Sequence, residues 1–290
     1  MSPREAFLRA CALDVAVRKP GNVSLDAPGH GMQAAQFITS AEVAADAICR
    51  PGVAVGRRIE AAVVATRAAV GCNTNLGILL LCAPIARAAE DRSRALRPAL
   101  EAVLAGLTLD DAAAAYRAIA LAQPGGLGAA PSQDVRDAPS VDLRAAMALA
   151  AERDRIARQY RDGFAELFDL ALPALPSGFS LPPVPPGGRP DAATAAAVQA
   201  LYLRLLGTRP DSHIVRKHGE AVAQNVMSAA QDWLARGGDA AALDADPAFA
   251  AWDLALKARG VNPGTTADLT VATLMLAGLA PPPRPGWHGS

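Results

Sequence analysis

The chain has 290 residues, of which 51% are hydrophobic, 19% are charged and only 4% are aromatic. This composition is typical of a globular protein and excludes a disordered one. The 28 basic and 28 acidic side chains cancel, whereas a general nucleic-acid-binding surface needs a basic excess. A small anionic ligand needs only a local cluster of cations, so that class of function stays open.

A core built from Ala, Leu and Val with few aromatic residues favours closely packed helices over sheets. We therefore predict an all-α fold, a single multi-helix globular domain over residues 1–290 with a polar cleft formed by loops between helices. The Pro-rich stretch 173–190 is expected to be a surface loop within that domain. The tail 281–290 is expected to be frayed.

In chain order, helical periodicity and Gly–Pro punctuation predict these helices: 4–18, 34–49, 53–70, 92–105, 109–121, 142–171, 191–206, 219–235 and 247–258. The apolar run 76–89 fits a buried strand or a buried helix, and its length favours the helix. A last apolar helix is expected to begin near Asp268.

Cellular location is predicted from the cysteines and from the most apolar segment. The four cysteines show no CxxC pairing and no histidine at metal-ligand spacing: they are Cys11, Cys49, Cys72 and Cys82. Such cysteines are typical of buried thiols in a reducing compartment. The apolar run 76–89 contains Pro84 and Arg87 and is too short to span a bilayer. We therefore expect a cytoplasmic protein with no membrane partner.

Four polar, glycine-containing segments interrupt the apolar helices: 19–32, 71–77, 211–219 and 260–268. Three of the four histidines lie in them, namely His30, His213 and His218. Loops carried by a rigid scaffold are where binding sites are usually assembled. These segments are therefore the candidate functional site, whereas P-loop, GxSxG and HExxH motifs are absent.

The first two segments offer hydrogen-bonding side chains beside backbone that a ligand can approach closely. Lys19 precedes a Pro-Gly step that lets a ligand approach the main chain, and Asn22, Ser24 and His30 follow it. The alternative is an ordinary helix connector. In the second segment, Asn73, Thr74 and Asn75 stand before a predicted helix, where free N–H groups attract anions. The alternative for these three is helix capping.

The last two segments offer charges. Arg216, Lys217 and His218 lie near Asp211, and clustered cations beside a carboxylate suit a metal-bound polyphosphate. The alternative is a solvated basic patch with Asp211 as a helix cap. Asn262, Gly264 and Thr265 precede Asp268. These residues could hold phosphate while Asp268 binds Mg²⁺; the alternative is a turn and cap.

Taken in order, these segments resemble the triphosphoribosyl-dephospho-CoA synthase family of citrate lyase and malonate decarboxylase maturation. The matching stretches are KPGNVS (19–24), GHGM (29–32), GCNTNLGILLL (71–81), DSHIVRKHG (211–219) and NPGTTADL (262–269), together with Phe37 and Ser40. The chain departs from the family pattern at Asn75 and Leu76, where a His and a basic residue are usual. This departure indicates a divergent branch.

The resemblance implies an all-helical enzyme that moves the triphosphoribosyl unit of ATP to the ribose of dephospho-CoA and releases adenine. The C1′ atom would pass through an oxocarbenium-like state. The open alternatives are the same frame with another acceptor or with nucleotide hydrolysis, and a non-catalytic nucleotide-binding helical protein. A homodimer is compatible with the Ala- and Leu-faced helices.

The resemblance also implies roles for individual residues. Lys19, Arg216 and Lys217 are expected to contact phosphates, and Asn73, Asn75 and Asn262 the ribose or base. Glu60, Asp134 and Asp268 are the carboxylates for base or metal, with Mg²⁺ at Asp134 and Asp268. His30 or His218 would assist proton transfer. For Glu60 the alternative is a salt bridge with Arg57 or Arg67.

Overall fold

The structure is a computed structural model. It describes residues 1–125, 133–185, 187–236 and 240–280, of which 240–242 are described by their backbone alone. The tail 281–290, expected to be frayed, lies outside the described residues, as does Pro186 of the Pro-rich loop.

The described residues form α-helices with no β-strand, which confirms the predicted all-α class. The helices are α1 Pro3–Ala16, α2 Ala34–Ile48, α3 Val55–Val70, α4 Leu76–Ala88, α5 Leu96–Ala105, α6 Leu109–Ala122, α7 Leu143–Ala150, α8 Arg155–Arg161, α9 Ala192–Leu206, α10 Ser212–His218, α11 Glu220–Ala235, α12 Pro247–Ala258 and α13 Gly264–Leu279. Among these residues no helix is both long and apolar enough to cross a bilayer.

The single helix predicted over 142–171 is wrong, because the chain there forms α7, then α8, then a π-helical turn at Leu167–Ala171. The Asp154 side chain accepts hydrogen bonds from the backbone N–H groups of Ile156 (2.9 Å) and Ala157 (3.1 Å), and it thereby starts a new helix. Beyond α8, Gly163 and Phe164 have positive φ angles of 63° and 58°, which no α-helix tolerates.

The predicted polar stretch 211–219 is also more ordered than expected, since it contains the two-turn helix α10. Asp211 caps that helix, so the capping alternative for Asp211 describes its position. The helix exists because a buried carboxylate satisfies its first N–H groups.

Buried side chains form two hydrophobic clusters that share α9 and α13. The larger cluster contains most of α1 to α4 and α13, and α4 is buried on nearly every side. The smaller cluster joins α9, α10, α11 and α12 around Phe249 and Trp233. The polar segments lie where helices of these two clusters end, so the packing of the helices fixes their positions.

Candidate active site

A cavity of about 750 Å³ opens between the helix ends. The four polar segments all reach it, although up to 240 positions separate them, as in the hydrogen bond from Asn22 Nδ2 to Asn262 Oδ1 (3.0 Å). The predicted site residues that line it are Asn22, His30, Asn73, Thr74, Asn75, Asp134, Arg216, Lys217, Asn262, Gly264, Thr265 and Asp268.

Helix α10 presents the cationic side of the cavity. Arg216 Nη1 donates to Asp154 Oδ2 at 2.9 Å, so Asp154 both caps α8 and aims the Arg216 guanidinium. Lys217, one residue further, is exposed to the cavity and has no carboxylate partner among the described residues. The pair therefore offers one cation oriented by a carboxylate and one without a carboxylate partner to an anionic ligand.

His213, on the same helix, lines the cavity as a neutral imidazole. Burial, with Lys217 and Arg216 nearby, lowers the pKa of His213 to about 3. Its Nε2 is buried with no hydrogen-bond partner in the described part of the chain. The ring packs on Gly264, where an added Cβ would lie 3.3 Å from Nδ1. The sequence placed His213 in a candidate segment but gave it no role.

Asp268, on the first turns of α13, faces the cavity without a partner. No described residue forms a hydrogen bond or ion pair with its carboxylate. Burial, followed by the nearby carboxylates of Asp14, Asp211 and Asp154, raises the pKa of Asp268 well above its ordinary value. A side chain at Gly77 would overlap this carboxylate, so the glycine permits the second and fourth segments to meet.

Lys19 does not line the cavity, which corrects the prediction that it contacts phosphate. Its side chain is fully buried, and Nζ lies 3.1 Å from Asp14 Oδ1 and donates to the Asp14 carbonyl. Asp14 itself is 3% exposed and lines the cavity. Sequence reasoning missed Asp14, although an acid inside the apolar face of α1 was a signal that it needed a buried partner.

The Asn-Thr-Asn triplet lines the cavity and also builds the turn before α4. Asn73 Oδ1 accepts from the Leu76 N–H at 3.1 Å, which is the capping alternative. Asn75 Nδ2 donates to Thr66 Oγ1 at 3.3 Å. The Thr74 hydroxyl donates to the Ser40 hydroxyl in α2 at 2.7 Å. These bonds fix the amides and leave their remaining polar groups for a ligand.

Two further cations were missed. Arg67, near the end of α3, and Arg153, between α7 and α8, line the cavity and have no carboxylate partner among the described residues. Most arginines in the described chain are paired, as Arg97 is with Asp169. Unpaired arginines that face a cavity are therefore candidates for anion binding. Which arginines would be unpaired does not follow from the sequence alone.

Three other predicted residues lie outside the cavity. Glu60 is held by Arg117 (Nε, 2.6 Å) and Arg57 (Nη1, 3.0 Å), which lower its pKa. The salt-bridge alternative is therefore correct for Arg57. His218 Nε2 lies 3.0 Å from the Gly260 carbonyl. Ser24 is buried and does not reach the cavity.

Asp211 is fully buried beneath the cavity, which corrects its prediction as a substrate contact.

Asp134 does line the cavity but accepts from Arg136 Nε and Nη2, both at 2.8 Å. His30 lines the cavity, and its Nε2 lies 2.8 Å from the Gly21 carbonyl. Burial lowers the pKa of His30, which keeps the ring neutral.

These features define an all-α protein whose described part encloses a large cavity lined by both cationic and acidic side chains. The sequence model of the CitG family, described as ATP:dephospho-CoA triphosphoribosyl transferase, matches residues 1–284. The chain belongs to this family of transferases, as the resemblance predicted.

A solved structure from Archaeoglobus fulgidus, provisionally assigned as a triphosphoribosyl-dephospho-CoA synthase, has the same fold. The TM-score is 0.61 and the identity 22%, over 84% of this chain and 97% of that one. No curated protein sequence matches this chain.

Proposed function

We propose that the cavity is the active site for transfer of the triphosphoribosyl group of ATP to dephospho-CoA, with release of adenine. The observation that carries this proposal is that one cavity is lined both by cations that form no ion pair and by a carboxylate that forms none. Arg67, Arg153 and Lys217 are the cations, and Asp268 is the carboxylate. A volume of about 750 Å³ is of the size that binds nucleotide-sized ligands.

The triphosphate would lie between α10 and α13. Arg216 and Lys217 supply positive charge, and the N–H of Thr265 in the first turn of α13 supplies a donor. Arg153 lines the same cavity and adds a third charge. Several cations around one polyphosphate are what its charge requires.

Mg²⁺ fits the carboxylates of the cavity. Asp268 forms no ion pair with a described cation, although the charge of Arg216 acts on it, whereas Asp134, the second predicted ligand, is held by Arg136. Among the described residues no group of three or more acidic, histidine or cysteine side chains is arranged to bind a metal alone. Mg²⁺ commonly takes one or two protein carboxylates and completes its shell with phosphates and water. When bound, it would neutralise part of the triphosphate charge.

In the transfer, the bond from C1′ to the adenine nitrogen breaks and a bond from the acceptor ribose oxygen to C1′ forms. Carboxylates near C1′ stabilise the positive charge that develops there. The acceptor hydroxyl loses a proton and the departing adenine gains one, so no net proton is released. His30 is suited to take the hydroxyl proton. Because its Nε2–H donates to the Gly21 carbonyl, Nδ1 stays free to accept a proton.

The acceptor would lie along the apolar wall of the cavity. This wall is built by α6 and α7 and contains Ile119, Ala122, Leu143, Ala146, Met147 and Leu149. An uncharged pantetheine arm packs well against such a surface. Arg67, at the same end of the cavity as Ala122, would contact the diphosphate of the acceptor.

The experiment is adenine release from ATP, measured by chromatography with and without dephospho-CoA. We expect adenine only when both substrates and Mg²⁺ are present. Lys217→Ala should raise the KM for ATP by about tenfold, because a charge-assisted hydrogen bond contributes about 1.5–3 kcal/mol. Arg50→Ala, an exposed cation outside the cavity, is the matched control and should leave the KM unchanged. Formation of ADP or phosphate without the acceptor would favour nucleotide hydrolysis instead.

Two properties stay predictions. We place the enzyme in the cytoplasm because its four cysteines are free thiols. A homodimer is tested by light scattering on the purified protein.

A further inference from the structure

Asp211 joins the N-termini of two helices through one buried carboxylate. Its Oδ1 accepts from the N–H groups of His213 (2.9 Å) and Ile214 (3.2 Å) on α10. Its Oδ2 accepts from the N–H and the hydroxyl of Thr266 on α13, both at 2.7 Å. The side chain has no exposed surface, so all of its bonds are to these two helix ends.

Helix α13 needs this carboxylate because it cannot cap itself. The residue before its first turn is Pro263, whose side chain accepts no hydrogen bond. The N–H of Thr266 is one of the donors that an α-helix leaves unsatisfied at its start. Asp211, 55 positions earlier in the chain, satisfies that donor. The positive ends of both helix dipoles also meet at this anion.

Both helices contribute side chains to the cavity. Helix α10 presents Arg216 and Lys217, whereas α13 presents Thr265 and Asp268. We propose that Asp211 is a positioning residue, which sets the distance between the phosphate-binding cations of α10 and the carboxylate of α13. This inference rests on the proposed function of the cavity, and Asp211 touches no substrate in it.

The substitution Asp211→Asn separates the contribution of the hydrogen bonds to α10 from that of the hydrogen bonds to α13. Asparagine is a good helix cap, so its amide oxygen can keep the bonds to α10. Its NH₂ group would then face the Thr266 N–H, and two donors would meet where a 2.7 Å hydrogen bond stood. The start of α13 should therefore move relative to α10, while α10 keeps its cap and its cations.

We expect Asp211→Asn to lower kcat by about 100-fold, the effect of misplacing a catalytic group by about 1 Å. The KM for ATP should rise much less than kcat falls, because α10 retains its cations and only the phosphate and metal contacts of α13 are weakened. The matched control is Asp191→Asn. Asp191 caps α9 and bonds both the N–H (2.7 Å) and the hydroxyl (3.1 Å) of Thr194, but it is exposed and outside the cavity. Its kcat should stay within about twofold of the wild type.

Hydrogen exchange gives a readout that does not depend on turnover. In Asp211→Asn, the Thr266 amide should lose protection while the His213 amide keeps it. If Asp211→Asn does not fold, Thr266→Val serves instead, since loss of one hydrogen bond of about 1 kcal/mol lowers kcat about fivefold. If the wild type releases no adenine, the proposed function is refuted, but hydrogen exchange still tests whether Asp211 holds the start of α13 against α10. An active wild type with Asp211→Asn as active as Asp191→Asn, or with ATP KM rising in parallel with the loss of kcat, would overturn the positioning role.

Discussion

At the scale of single residues, Asp268 is held in an environment that disfavours its charge. Burial and the neighbouring acids Asp14, Asp211 and Asp154 raise the pKa of Asp268, and no described cation pairs with it. A group that costs stability at neutral pH is retained most often where it has a chemical role. Binding of Mg²⁺ and a triphosphate would remove this cost.

Asp268→Asn should therefore stabilise the protein at neutral pH, by on the order of 1 kcal/mol, while it lowers kcat by about 100-fold. The native pKa is raised, so the charge penalty is absent below the ordinary carboxyl pKa of 3.8 and grows as pH rises towards the native pKa. The gain should accordingly vanish at low pH. Urea unfolding of both proteins across pH measures it. Asp169→Asn, which removes an exposed partner of Arg97, should show no gain; an equal gain would contradict the account.

Residue types predicted much of the site, but they did not show which charged side chains form ion pairs within the protein. Of the 17 site residues predicted from the sequence, 12 line the cavity. The prediction for Lys19 was wrong because its side chain is buried against Asp14 and does not face a ligand. Burial of residues 19–24 depends on helices that are distant in the sequence. Asp14, Arg67 and Arg153 lie in or beside helices, where a single sequence does not show which side faces a cavity.

At the scale of helices, the apolar periodicity predicted α1 to α6, α9 and α11 to α13, although α5 begins four residues later and α13 four residues earlier than predicted. The prediction failed between 142 and 171, where the apolar pattern continues but the backbone does not continue as one helix. Asp154 redirects the chain there because its side chain competes for the N–H groups that a continuous helix would use. The break brings Asp154 to Arg216, a contact with no local sequence signal.

The two roles of Asp154 can be separated with two substitutions. Asp154→Ser keeps a capping oxygen but loses the bond to Arg216, whereas Asp154→Ala loses both. We expect the serine variant to be more stable by about 1 kcal/mol, the usual contribution of an N-cap, in urea unfolding. Both variants should raise the KM for ATP, because Arg216 is no longer aimed. Equal stability of the two variants would show that Asp154 does not start α8.

At the scale of the whole molecule, α9 and α13 each serve both hydrophobic clusters. Helix α9 gives Leu201 and Leu205 to the larger cluster and Tyr202 and Leu206 to the smaller. A helix whose two faces are buried in different clusters couples them, since neither cluster stays complete when the helix leaves. We therefore propose that the chain unfolds as a single unit, in keeping with the predicted single domain.

Calorimetry tests this coupling. We expect one transition whose calorimetric enthalpy equals its van't Hoff enthalpy, the mark of two-state unfolding. Two resolved transitions would instead show that the clusters are independent domains.

The central claim is that four distant polar segments bind one nucleotide between α10 and α13. A crystal structure with ATP and Mg²⁺ in the absence of dephospho-CoA tests it most directly. We expect the triphosphate beside Arg216 and Lys217, with the metal against Asp268. A triphosphate bound on another face of the molecule, away from these three side chains, would contradict the account.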